Sequence, residues 1–177
     1  MKIALDIGHM GKTLRPLDRG AVYKGARESD YVLLYAIAAR GYLEKAGHNV
    51  YLLCHDNYGA RQEFCKINNF DLHIQCHLNA GNGNYSLIYC RENEEAKRLA
   101  EKLSDKFKQL PVSKSTYKIA TKETRGYECI MQSIPSLLLE PLFLDNEAHY
   151  EAIINGNACF TIGKLVAEGI LEWIDNS

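Results

Sequence analysis

A chain of 177 residues, 46% hydrophobic and 24% charged, fits one globular domain with a sizeable core better than two small domains or a disordered tail. Twenty-one Lys and Arg stand against 22 Asp and Glu, so no global field draws the protein onto nucleic acid or an anionic membrane, and partners must be recognised locally. No stretch approaches the roughly 20 apolar residues that span a bilayer. The opening run, Met1 to Asp6, is too short and too soon broken by an acid to act as a signal peptide. Synthesis in a reducing cytoplasm is therefore expected, with any action outside the membrane depending on release. The six cysteines lie without C-x-x-C spacing, mostly in apolar stretches, and read as reduced, buried thiols. Residues 1–177 are expected to form a single, monomeric domain.

In chain order, short aliphatic and β-branched runs alternate with stretches of helical period, the signature of βαβ units around a mostly parallel sheet. Strands are predicted at Lys2 to Asp6, Asn49 to Cys54, Asp71 to His77, Ser86 to Cys90 and Ser136 to Glu140, with a weaker one at Tyr127 to Met131. The first helix is predicted from Glu28 to Ala46, where Val32, Tyr35, Ala36, Ala39 and Leu43 recur at steps of three and four before Gly47. Others follow at Gly59 to Asn68, at Asn93 to Leu110 ahead of Pro111, and at Ala158 to Ile174. Met10 to Ala26 and Val112 to Arg125 lack periodicity and read as loops. The expected architecture is a twisted α/β sheet of about six strands with helices on both faces.

Three polar residues stand where predicted strands end: His9, His77 and Glu140. Ligands of open parallel sheets bind beyond the carboxyl ends of the strands, so these three sites are expected to converge. His9 lies between Gly8 and Gly11, which permit a close approach of backbone to something bound. Glu140 ends the apolar run Ser136 to Leu139, where a buried carboxylate needs a partner or a proton. Taken alone, His77 reads equally well as a core histidine. Glu28, which opens the first helix, reads on its own as compensation of the helix dipole. Two imidazoles and a carboxylate would nevertheless suit a zinc ion with an open fourth position, and a second carboxylate, Glu140, could serve as general base. The spacing His73-x-x-x-His77 offers a rival metal site on a helix, but Ile74 stands where the glutamate of H-E-x-x-H belongs, and the composition favours a strand. His73 is then structural. His48, His55 and His149 carry no spacing signal and default to surface or loop positions.

The ordered set Ile3-Ala4-Leu5-Asp6-Ile7-Gly8-His9, Glu28 heading a helix, Asp71-Leu72 through His77-Leu78-Asn79-Ala80, and Leu138-Leu139-Glu140-Pro141 resembles the zinc-dependent N-acetylmuramoyl-L-alanine amidases. The resemblance covers nearly the whole chain. It implies zinc bound by His9, Glu28 and His77, Glu140 as the catalytic carboxylate, and peptidoglycan as substrate, and it reverses the dipole reading of Glu28. Arg61 matches a family arginine that reads as structural. Met10 stands where the family commonly has glycine, and Pro141 and Leu142 replace a glycine after the catalytic glutamate; these departures bear on groove shape.

The implied activity is hydrolysis of the amide between N-acetylmuramic acid and L-alanine, in the setting of a phage endolysin or a bacterial lytic amidase, the former being preferred. No separate cell-wall-binding domain is expected. Rival readings are a zinc peptidase cutting within the stem peptide, a catalytically silent wall-binding module, and a thiol enzyme resting only on the six cysteines.

Overall fold

The computed structural model describes residues 1–11, 18–131 and 134–176, so residues 12–17 of the expected Met10 to Ala26 loop lie outside the described residues. In chain order the elements are β1 (Lys2–Ile7), β2 (Val22–Tyr23), β3 (Ala26–Arg27), α1 (Glu28–Lys45), β4 (Asn49–Leu53), α2 (Tyr58–Ile67), β5 (Leu72–Cys76) and β6 (Ser86–Cys90). They continue with α3 (Glu94–Phe107), β7 (Ser115–Ile119), β8 (Ser136–Glu140), α4 (Glu147–Ile154) and α5 (Asn157–Asp175). Six strands form one sheet in the order β4-β1-β5-β8-β6-β7, and β2 and β3 make a separate antiparallel pair. Every neighbouring pair in the large sheet is parallel except β6 with β8.

Side chains alternate across a strand, and here the alternation sorts the two faces of the sheet. Ile3, Leu5 and Ile7 of β1, with Leu72, Ile74 and Cys76 of β5, enter the main core beside Val32, Tyr35 and Leu43 of α1, Leu99 and Leu103 of α3, and Leu165, Val166 and Ile170 of α5. On the opposite face Ala4 and Leu53 pack with Cys65 of α2 and with Phe70. Helices therefore cover both faces, as the alternating pattern predicts. The α2 face is also polar: Asp6, His73 and Gln75 are fully buried there, with Asp6 directly opposite Gln75 in the register.

Local chemistry explains several helix starts. Asn57, Asn93 and Asn146 accept hydrogen bonds from the backbone N–H groups of Ala60, Ala96 and His149, capping α2, α3 and α4. The start of α1 has no such side-chain cap; Glu28 and Asp30 occupy its first turn instead.

Four expectations need correction. Tyr127 to Met131 is no strand: Gly126 adopts φ 86° and turns the chain into a short 3-10 helix at Tyr127–Cys129. The Val112 to Arg125 loop contains β7, a half-exposed edge strand whose identity comes from pairing with β6. His149 lies on α4 and is buried, its two ring nitrogens engaged with Phe143, Asn84 and Pro111. Five of the six cysteines are buried, whereas Cys54 is exposed.

Candidate active site

A groove of about 580 Å³ opens beyond the carboxyl ends of β1, β5 and β8. His9, Glu28, His77 and Glu140 all line it, so the four residues singled out in the sequence share one cavity. His9 follows β1 in the left-handed region, φ 63°, a conformation uncommon for a side chain with Cβ. The surroundings hold it there: its backbone N–H donates to the Tyr58 hydroxyl at 3.0 Å, and its Nδ1 lies 2.9 Å from Asp18 Oδ1. Such strained positions persist where the structure over-determines them.

His77 follows β5, with its N–H bonded to Leu139 O of β8 at 3.0 Å and its carbonyl receiving the Tyr35 hydroxyl at 3.0 Å. One residue farther along that parallel register, Glu140 ends β8. Gly8 lets the two imidazoles meet. A Cβ there would lie 2.5 Å from the Cys76 carbonyl oxygen and 2.6 Å from the His77 ring, whereas with glycine the rings approach edge-on, centroids 5.0 Å apart.

Glu28 is the centre of the arrangement. Its Oε1 accepts the Leu78 N–H at 3.1 Å and lies 2.9 Å from His77 Nδ1. Its Oε2 accepts the Ala21 N–H at 2.8 Å and lies 3.4 Å from His9 Nε2. Burial works against this charge, but the bond with His77 and the attraction of both histidines hold the carboxyl below its usual range. For His9 burial is the largest influence and lowers its pKa, keeping the ring in the neutral form that ligates metals.

One ligand atom from each of His9, Glu28 and His77 falls within 4.8 Å of the other two. The donor chemistry of the site fits a divalent cation. A carboxylate only accepts, so His9 Nδ1 must donate to Asp18, and the lone pair of Nε2 then points toward Glu28 Oε2. Two electron-rich atoms facing each other call for a positive charge between them.

Glu140 is placed differently. Burial pushes its carboxyl above the usual range and the neighbouring Glu28 adds to this, while His77 and Arg125 pull it down. A carboxyl whose hold on its proton is strengthened in this way, at the edge of such a site, is suited to moving protons. Arg125, Lys122 and Glu128, all exposed, line the same groove, so its rim carries charges of both signs.

Sequence reasoning missed Asp18, Tyr58, Gln75 and Arg125. Asp18 and Arg125 lie in aperiodic segments that carry no signal. Gln75 did carry one: His73, Gln75 and His77 alternate along an otherwise apolar strand, which puts three polar groups on one buried face. The thiol reading loses ground at four of the six cysteines, since burial raises the Cys90 thiol to about 11, those of Cys65 and Cys159 to about 12, and that of Cys76 higher still.

Comparison with known proteins agrees with the fold. Solved structures with the same fold include Cwp6 from Clostridium difficile, with TM-score 0.86, 24% identity, and coverage of 98% of this chain and 29% of that one. The chain thus spans less than a third of Cwp6. The amidase AmiC2 of Nostoc punctiforme gives TM-score 0.85 at 20% identity over 99% of this chain and 97% of that one. The catalytic domain of the CD27L endolysin, which targets Clostridia Difficile, gives 0.77 at 24% identity over 97% of each. No curated protein matches the chain. Residues 3–172 match the family described as N-acetylmuramoyl-L-alanine amidase, and the chain belongs to that family of peptidoglycan amidases.

Proposed function

We propose that the chain cuts the amide between the lactyl group of N-acetylmuramic acid and the L-alanine of the stem peptide by zinc-assisted hydrolysis, with His9, Glu28 and His77 holding the metal and Glu140 carrying the proton. The observation behind this reading is the meeting of two imidazole nitrogens and a carboxylate within 4.8 Å, in the groove that also holds Glu140. Two histidines and one glutamate are a known ligand set of catalytic zinc, which keeps its fourth position open. When bound there, zinc supplies a Lewis acid that polarises an amide carbonyl and brings the pKa of a water to ~7.

The chain's own residues supply the rest. Glu140 takes the proton that the attacking water releases as its oxygen bonds to the carbonyl carbon. The C–N bond then breaks and the same carboxyl passes that proton to the departing nitrogen, leaving a muramoyl carboxylate and a peptide with a free amino terminus. Tyr58 and Asp18 keep His9 in its strained conformation, and Ala21 and Leu78 fix both oxygens of Glu28. The biological setting in this proposal is a lysin that reaches the wall after release from the cell where it is made, a reading supported by likeness to the CD27L catalytic domain.

Glu140→Gln keeps the shape of the side chain and removes its proton chemistry. Hydrolysis of isolated peptidoglycan should fall by about 10²–10⁴-fold, the usual worth of a general acid–base group, with zinc content unchanged. Near-normal hydrolysis by this variant would remove Glu140 from the mechanism.

A further inference from the structure

We infer that Gln75 is a positioning residue that sets the tautomer of His77, and that Asp6 and Arg61 hold Gln75 in the orientation that does so. The inference rests on the metal-site reading above and names what prepares that site.

Gln75 and His77 are two residues apart along the strand direction of β5, so their side chains share a face, and Gln75 Oε1 lies 3.1 Å from His77 Nε2. An amide can offer either its oxygen or its nitrogen, and here its other contact decides which. The nitrogen of Gln75 donates to Asp6 Oδ2, and a carboxylate has no hydrogen to give back. The amide oxygen is therefore the atom that faces His77. That oxygen only accepts, so it holds the ring through an Nε2–H and turns the Nδ1 lone pair toward the metal side; the Glu28 carboxylate, which also only accepts, draws that hydrogen to Nδ1 as long as no cation stands between them. Nδ1 is the nitrogen 2.9 Å from Glu28 Oε1, on the side where His9 also converges.

Asp6 is in turn fixed from α2. Arg61, fully buried, donates through Nη1 to Asp6 Oδ1, and His73 Nε2 lies 3.2 Å from Asp6 Oδ2. The same guanidinium donates to the Ile7 carbonyl at 2.9 Å, to the Met10 carbonyl, and through Nε to the His55 carbonyl at 2.7 Å. Ile7 and Met10 bracket His9. One buried arginine thus governs both histidines, His9 through the backbone on either side of it and His77 through the relay Asp6–Gln75. Without the Gln75 acceptor, a buried Nε2–H would lose its partner, and the ring would gain by moving its hydrogen to Nδ1 and donating to Glu28. That tautomer closes the site to a cation.

Outer partners of metal-bound histidines typically govern affinity by about 10–100-fold. The test measures zinc affinity by competition with a chelating indicator for the wild type and Gln75→Leu, and reads the His77 tautomer in zinc-loaded wild type from long-range ¹H–¹⁵N couplings. The expected results are Nε2–H for His77 in the wild type and a loss of affinity of about 10–100-fold in the variant. Either a wild-type ring protonated at Nδ1, or a folded Gln75→Leu that binds zinc as tightly as the wild type, overturns the relay while leaving the metal site standing. Should the variant fail to fold, the wild-type spectrum alone decides. Wild-type protein that takes up no zinc at all contradicts the metal-site reading itself and leaves nothing for the relay to position.

Discussion

His149 shows how a single side chain can tie distant segments and carry a pH dependence. Its Nδ1 accepts the Phe143 N–H at 3.1 Å, and its Nε2 reaches Asn84 Oδ1 at 3.2 Å and the Pro111 carbonyl at 3.1 Å. One nitrogen accepts and the other donates, so the ring fits only when neutral, and burial lowers its pKa from the usual 6.5 although the bond to Pro111 opposes this. Between that lowered value and 6.5 the unfolded chain holds a proton that the folded chain does not, so folding stability rises with pH across the interval. The contribution is complete above about pH 6.5 and is lost as pH falls through the folded value. Urea unfolding from pH 7.5 to pH 5 should show this decline, and His149→Gln should flatten it; a variant profile parallel to the wild type would show that His149 titrates alike in both states.

At the scale of elements, α1 and α5 meet where glycine leaves no room for more. A Cβ on Gly163 of α5 would lie 2.5 Å from Ala38 Cβ and 2.5 Å from the Tyr35 carbonyl of α1, both on a rigid helix. Gly163→Ala should therefore destabilise the fold by about 1–3 kcal/mol, the usual cost of overpacking. Gly41, also on α1, is exposed and has open space around it, so Gly41→Ala should stabilise by roughly 0.5–1 kcal/mol. Denaturant midpoints moving in opposite directions would bear out this packing, and a neutral Gly163→Ala would contradict it. The same scale explains which elements could be read in advance. Strands β1, β5 and β8 are buried apolar runs, and α1 and α3 have clear stripes, so their own residues announce them. By contrast β7 is a strand because β6 pairs with it, and α4 has only two turns behind its Asn146 cap, too short for a period to emerge.

Over the whole molecule, the mostly parallel sheet gathers chain ends that are far apart in sequence into one groove. His9, His77 and Glu140 were legible because each closes a strand, and strand ends are where such sheets bind ligands. Glu28 was not legible from its own surroundings. An acid in a first helical turn is ordinary, and only tertiary contact with His9, His77, Ala21 and Leu78 distinguishes it. The relay through Gln75, Asp6 and Arg61 was hidden for the same reason, since it joins β5, β1 and α2 side by side in space. The central claim, that this groove hydrolyses the muramoyl–alanine amide with a metal at its centre, is tested most directly by labelling the amino groups newly exposed on isolated peptidoglycan. The account predicts new N-terminal L-alanine, abolished by a chelator and restored by added zinc. A different new N-terminal residue, or release of L-alanine that a chelator leaves untouched, would contradict it.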